Sequence, residues 1–229
     1  MSNQLHNELK KEFQLERMIL FSDAVFAIAI TLLVIEIKIP EIHEHITDKA
    51  LLAALGDLVP KFFGFVTSFA LVGFYWSVHH RMFGYVTTYD RKILVLNLCL
   101  LFFIVLMPFS SGFYGEYSGK EFATEQLKVP MTFYVLNYFF VGIFNYIMWR
   151  YISNPAHKLS EPPIDAHTLK LAKARALVLT FTFLMMIPVA YLVNVVIAAF
   201  VPALIPVVMK ITKRIIDKKY KHHRLATTR

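Results

Sequence analysis

Cysteine is almost absent from this sequence, since Cys99 is the single residue of its type among 229. One cysteine excludes an intrachain disulfide and any metal site built from several cysteines. Charged residues are scarce as well: they make up 17% of the chain, whereas 57% of it is hydrophobic. A soluble domain of ordinary composition is about a quarter charged. The composition therefore indicates an integral membrane protein.

Several familiar functional motifs are also missing from the sequence. It contains no TVGYG-type segment, whose backbone carbonyls coordinate potassium in the filter of many channels. It contains no P-loop, no GxSxG motif and no HExxH motif. The adjacent histidines His79 and His80 would diverge on a helix, which is unfavourable for a metal site. We therefore predict that the protein is not an enzyme and uses neither a cofactor nor a resident metal.

Long apolar runs dominate what is present. A helix needs about 20 apolar residues to cross roughly 30 Å of hydrocarbon. The 34 uncharged residues from 176 to 209 would form one helix of about 51 Å, so we predict two spans with a turn near Asn194. The predicted fold class is an all-α integral membrane protein with six transmembrane helices. The predicted spans cover residues 18–37, 52–79, 93–113, 129–150, 174–192 and 195–210, and the second could begin only after Pro60 and Lys61.

The distribution of Lys and Arg predicts the orientation. With the N-terminus inside, 19 of these residues lie on the inner side and 5 on the outer side. The positive-inside rule therefore predicts a multi-pass protein of the cell (inner) membrane with both termini in the cytoplasm. We predict a cytoplasmic N-terminus (1–16), a six-span domain (17–210) and a basic cytoplasmic tail (211–229). The net charge of +8 lies mostly in loops and tail, which favours membrane topology over nucleic-acid binding.

The first span carries an acidic residue, Asp23, within an otherwise apolar run. An acidic group at membrane depth is costly unless it is paired or hydrated, so it marks a functional segment. Helical spacing places Ser22 and Asp23 on one face and an apolar stripe on another. That stripe contains Phe21, Ala24, Ile28, Thr31 or Leu32, and Ile35.

Partners for Asp23 are expected at the end of the second span, where Trp76 and His79 reach the same depth. Together with Arg17, Ser22 and Asn97, these residues could form one buried polar network. Such a network could clamp helices together, or it could serve transport. A proton-coupled transporter with Asp23 and His79 as its relay is the alternative functional hypothesis. A structural or assembly protein is also compatible with these residues.

The segment Arg17-x-x-x-Phe21-Ser22-Asp23 resembles the RxxxFSD signature of a potassium channel family, the transmembrane protein 175 family. The segments FYWSVHHRMF (74–83) and LNLCLLFFIVLMPF (96–109) are similar to that family's second and third helices. The resemblance covers roughly residues 15–115. It implies a homotetramer in which four copies of the first helix line the pore.

The resemblance also implies roles for individual residues. The pore, selectivity and gate positions would be Ile28, Thr31 and Ile35, with K⁺ passing the Thr31 layer. The pore helix would be supported by Arg17, Phe21, Ser22, Asp23, Trp76 and His79. The expected activity is that of a potassium-selective or potassium-permeable cation channel.

Overall fold

The structure is a computed structural model of the chain, and it describes residues 11–40, 46–117 and 124–227. Residues 1–10 of the predicted N-terminal segment and residues 228 and 229 of the predicted tail lie outside this part. Within the described ranges the chain is helical and contains no strand. The α-helices are α1 (Lys11–Leu32), α2 (Asp48–Asp57), α3 (Val59–Phe83), α4 (Arg91–Val105), α5 (Met107–Glu116), α6 (Val129–Ile152), α7 (Ala166–Leu184), α8 (Met186–Leu192), α9 (Val195–Ala199) and α10 (Ile205–Thr227).

Six helical segments of the described chain are long and apolar enough to cross a membrane, which confirms the predicted class and number of spans. They run over Phe13–Glu36, Val59–Phe83, Arg91–Glu116, Val129–Ile152, Ala166–Leu192 and Val195–Tyr220. The second span begins at Val59, two to three residues before the later of the two predicted starts, because α2 is a separate helix that Thr47 caps through Ala50 N. Pro60 stands in the first turn of α3, where a missing N–H costs nothing.

Three of the spans are interrupted near prolines. A proline lacks the N–H that would bond the carbonyl four residues earlier, and its ring clashes with that carbonyl. Pro108 accounts for the break at Leu106 between α4 and α5, and Pro188 for the break at Met185 between α7 and α8. The sixth span contains a 3-10 helix, Val201–Leu204, where Pro202 and Pro206 lie close together. Near these prolines each span is therefore divided into shorter helical segments.

The turn predicted near Asn194 is present and has a specific cap. The Asn194 Oδ1 accepts a hydrogen bond from Val196 N at 2.7 Å, which satisfies a free donor at the start of α9.

At the opposite end of the bundle, Asp90 caps α4 by accepting a hydrogen bond from Ile93 N at 2.8 Å. Its second carboxylate oxygen accepts a hydrogen bond from the Tyr151 hydroxyl at 2.6 Å. Burial raises the pKa of Asp90, but these hydrogen bonds outweigh it and hold that pKa below its ordinary value.

Helix α6 is the centre of the bundle and packs against α4, α5 and α7. Its aromatic side chains form much of the contact: the Tyr138 ring stacks on Phe183 of α7 with centroids 4.9 Å apart. Helix α1 lies at the edge of the bundle, where it packs against α3 and α4. This position leaves much of the α1 surface outside the core.

Helices α6 and α7 are in close contact at Gly142, which is buried. A Cβ atom at this position would overlap the side chain of Thr180, which is 1% exposed and donates its hydroxyl to Ala176 O. A glycine is therefore required here for space and not for its backbone conformation.

We predict that Gly142→Ala lowers the midpoint of thermal unfolding in detergent, because overpacking of this kind costs about 1–3 kcal/mol. The control is Gly64→Ala in α3, where an added Cβ meets no atom within 4 Å. Removing the obstructing hydroxyl with Thr180→Ala should restore part of the stability lost in Gly142→Ala. Equal midpoints for Gly142→Ala and the unmodified protein would contradict this account.

Candidate pore helix and its polar support

Helix α1, together with the short 3-10 helix that follows it, has one buried face and one exposed face. The buried face contains Leu15, Met18, Ser22, Phe26, Ala29 and Leu33. The exposed face contains Leu20, Phe21, Ala24, Ala27, Ile28, Thr31, Leu32 and Ile35. Both sets follow the spacing of three and four residues that defines one side of a helix. All members of the predicted stripe thus lie on the exposed side.

Between Leu20 and Ile35 this exposed face is apolar apart from one hydroxyl. Ile28 is 59% exposed and Ile35 is 68% exposed, so the described chain leaves more than half of each residue uncovered. Ile35 falls in the 3-10 helix Leu33–Glu36, into which α1 tightens where the sequence predicts continued α-helix. A surface of this kind must meet either lipid or another protein chain.

Thr31 is the polar residue in the middle of this face. Its hydroxyl donates to the backbone carbonyl of Ile28 at 2.8 Å and lies 3.0 Å from that of Ala27. The proton is therefore directed into the helix. The hydroxyl oxygen keeps acceptor capacity, and an acceptor on an exposed apolar surface can bind a cation.

The opposite face of α1 is held by a chain of hydrogen bonds. Asn97 of α4 donates its Nδ2 to Ser22 Oγ at 2.8 Å, and Ser22 donates in turn to Met18 O at 2.7 Å. His79 Nε2 lies 2.8 Å from Asn97 Oδ1, which makes Nε2 the protonated nitrogen in this chain. All three side chains are at most 1% exposed. Side chains of three different spans are thus joined without water.

A second connection to α1 is separate from this chain. Trp76 donates its Nε1 to Asp23 Oδ1 at 2.9 Å, near the surface of the subunit. In the described residues, neither a hydrogen bond nor an ion pair joins Arg17 to Asp23, and the Arg17 guanidinium lies 5.9 Å from the Phe13 ring centroid. Phe21 is 52% exposed. The structure therefore divides the expected single network in two, and Arg17 and Phe21 lie outside both parts.

A proton relay would have to connect Asp23 with His79, and within the described residues no hydrogen bond joins these two side chains. Each of these side chains has its own partner, Trp76 for Asp23 and Asn97 for His79. His79 is further enclosed by the rings of Phe26 and Phe83, with centroids 5.4 and 4.5 Å away.

A second polar cluster, in the half of the bundle away from Asp90, was not identified from the sequence. Ser68 Oγ lies 2.8 Å from Ser111 Oγ and 3.1 Å from the Tyr134 hydroxyl, while Asn137 Nδ2 donates to Ser110 Oγ at 3.1 Å. The sequence signal is the Ser110-Ser111 pair that follows Pro108 within an apolar run. These bonds join α3, α5 and α6 and do not reach the exposed face of α1.

The 3-10 helix Leu33–Glu36, which follows α1, packs closely on α5. Glu36 occupies the space that a Cβ at Gly112 would need. Nearby, Lys61 Nζ forms an ion pair with Glu116 Oε2 at 2.9 Å. Among the described residues, no group of three His, Cys, Asp or Glu side chains is arranged to hold a metal.

We predict that Asn97→Leu destabilises the protein, because it leaves His79 and Ser22 buried with a lost partner, at about 1–3 kcal/mol for each unsatisfied group. Thermal unfolding in detergent measures the effect, with Leu98→Ala, a change at a 46% exposed neighbour, as the control. In a double-mutant cycle with His79→Leu, the two losses should be less than additive. Additive losses would show that the two side chains do not interact.

Three comparisons with known proteins agree with this architecture. The sequence profile of the family described as endosomal/lysosomal potassium channel TMEM175 matches residues 17–108. A potassium channel of Streptomyces collinus is 32% identical over 155 residues, which cover 68% of this chain and 72% of that protein.

An animal relative and a solved structure extend the comparison. The endosomal/lysosomal proton channel TMEM175 of Gallus gallus is 33% identical over 150 residues, which cover 62% of this chain and 28% of that longer protein. The crystal structure of a lysosomal potassium-selective channel TMEM175 homologue from Chamaesiphon minutus superposes with a TM-score of 0.70 at 26% identity, over 87% of this chain and 98% of that one. The chain described here belongs to the TMEM175 family of membrane cation channels.

Proposed function

We propose that the protein is a homotetrameric, potassium-selective channel whose pore is lined by the exposed face of α1 from each subunit. The observation that carries this proposal is the division of α1 into two faces. A buried polar chain holds one face, while the other presents Ile28, Thr31 and Ile35 outside the subunit. The S. collinus relative is named as a potassium channel, and the C. minutus homologue is named as potassium-selective.

The proposed pore contains two apolar constrictions and one polar layer. Rings of Ile28 and Ile35 would close the path by excluding water, as hydrophobic gates do. A ring of Thr31 hydroxyl oxygens lies between them and would replace part of the hydration shell of K⁺. The Thr31 proton is already used in the helix, so the oxygen is the atom available to the ion.

The support of the pore helix is divided among the residues behind it. Ser22 and His79 act through Asn97, and Asp23 acts through Trp76; these bonds fix the rotation of α1 about its axis. Arg17 and Phe21 lie on the exposed side of the same helix, so in the assembled channel they would act at the contact between subunits. No cofactor takes part, and K⁺ is the permeating ion.

The proposed orientation places both termini in the cytoplasm and the protein in the cell (inner) membrane. The basic side chains Arg17, Arg81 and Arg91 come from the N-terminal part of α1, the end of α3 and the start of α4, which lie at one end of the bundle. This end is the cytoplasmic one by the positive-inside rule. The Ile28 ring is then the first constriction from the cytoplasm.

Proton conduction is the second candidate, because the G. gallus relative is named as a proton channel. A proton-coupled transporter using Asp23 and His79 would need a route between side chains that here have separate partners. Liposomes that carry both a potassium gradient and a pH-sensitive dye distinguish these outcomes. A channel gives passive flux in both directions, whereas a transporter moves its substrate against a gradient and saturates.

We predict that Ile28→Asn raises potassium flux in proteoliposomes, because a ring of amides removes the apolar barrier to hydration. The matched control is Ile197→Asn, the same change at a residue of the sixth span that is 54% exposed. Equal fluxes in Ile28→Asn and the unmodified protein would place the constriction elsewhere. Absence of flux under every pH and voltage would reject the channel proposal itself.

We predict that Thr31→Ala reduces the discrimination between K⁺ and Na⁺, measured as a shift of the bi-ionic reversal potential toward zero. Thr67→Ala is the control, because the Thr67 hydroxyl also donates to its own helix, to Phe63 O at 2.9 Å, but in α3. A reversal potential of the unmodified protein that does not follow the potassium gradient would reject potassium selectivity. An unchanged potential in Thr31→Ala would remove Thr31 from the ion path.

A further inference from the structure

A cleft opens on the outside of the bundle between α3, α7 and α10, at the end proposed to be cytoplasmic. Its volume is about 420 Å³. Phe74, Val78 and Met209 form its apolar wall, and Ser77 lies beside them. Four cationic side chains from the three helices complete the lining: Arg81, Arg175, Lys210 and Lys213.

These four cations are not neutralised within the described residues. No ion pair links any of them to a carboxylate there, and the nearest acid of α10 in sequence, Asp217, is already bonded to His167 at 2.8 Å. Four like charges around one cavity repel one another, and the repulsion is strongest where the surroundings are apolar. An anion bound between them would reduce this repulsion.

A small recess of about 40 Å³ continues from the cleft toward the core, and Phe74, Val78, Arg81 and Arg175 line both spaces. Tyr75, Asn145 and Trp149 also line this recess, and each is at most 2% exposed.

The polar atoms of these three side chains have no hydrogen-bond partner in the described chain. They are the Tyr75 hydroxyl, both amide atoms of Asn145, and the Trp149 Nε1. A buried polar group that is left without a partner lowers the stability of the fold. The recess thus lies beside buried polar groups that lack a partner within the described chain.

We propose that the cleft and its recess bind the phosphate-bearing headgroup of an anionic phospholipid. The phosphate lies among Arg81, Arg175, Lys210 and Lys213, and the polar end of the headgroup reaches toward Asn145. A lipid fits better than a soluble anion, because the cations stand at the ends of membrane spans next to an apolar wall. Basic pockets between spans on the cytoplasmic side bind anionic headgroups in this way. The inference depends on the six-span fold and not on ion conduction.

The test compares binding of phosphatidylglycerol and phosphatidylcholine to the full chain in detergent, by native mass spectrometry. We expect Arg81→Gln with Arg175→Gln to weaken phosphatidylglycerol binding about tenfold or more, since each basic residue contributes about 1 kcal/mol near an anionic headgroup. Lys218→Gln with Lys219→Gln is the control, because it removes the same charge from exposed positions outside the cleft. Phosphatidylcholine binding should change little in either variant.

A second variant protects the test against misfolding. Lys210→Gln with Lys213→Gln alters only exposed side chains of α10 and should weaken phosphatidylglycerol binding to a similar degree. Equal loss in the Lys218 and Lys219 control would assign the effect to the general charge of the tail and overturn the proposal. Displacement of the lipid by millimolar inorganic phosphate would identify a site for a soluble anion. A changed number of subunits in the cleft variants would identify the cleft as a protein interface.

Discussion

Asn97 occupies the middle of a buried hydrogen-bond chain that joins three membrane spans. Its amide nitrogen donates to Ser22 in α1, and its amide oxygen accepts from His79 in α3. Hydrocarbon offers no alternative partner to these groups, so each must find one inside the protein. A rotation of α1 by one residue, about 100°, would take Ser22 away from Asn97. The direction in which α1 presents its other face depends on this chain.

The two faces of α1 explain why the acidic residue is a marker of the important helix and not the best candidate for the ion path. Asp23 accepts from Trp76 and so belongs with the supporting contacts. Ile28 and Thr31 carry no charge, yet both are exposed on a membrane-spanning helix. In this helix the charge marks the segment, whereas helical phase identifies the face that we propose to line the pore.

Local features of the sequence predicted much of this structure. Apolar run length gave six spans, and the 34 uncharged residues from 176 to 209 required the turn that Asn194 caps. The period of the first span separated Ser22 from the stripe of Ile28 and Ile35. These predictions succeed because they depend on residues close together in the chain.

Features that depend on the choice of neighbouring helices could not be predicted in the same way. Gly142 gives no sign that Thr180 will lie against it, and Ser68 gives none that it will meet Ser111. Likewise, the sequence groups Arg17 with Asp23, although they are six positions apart and the structure leaves Arg17 outside the polar contacts. Such outcomes follow from tertiary packing, which a single span does not encode.

The hydrogen-bond chain through Asn97 also has a consequence for biosynthesis. Its members belong to the first, second and third spans, and Asn97 is the last of them to leave the ribosome. When only the first two spans have entered the membrane, Ser22 can still donate to Met18, but His79 lacks its acceptor. The arrival of the third span satisfies His79 and fixes α1 in the same step. The rotation of the first helix about its axis is therefore fixed in full only by Asn97, which is translated 75 residues after Ser22.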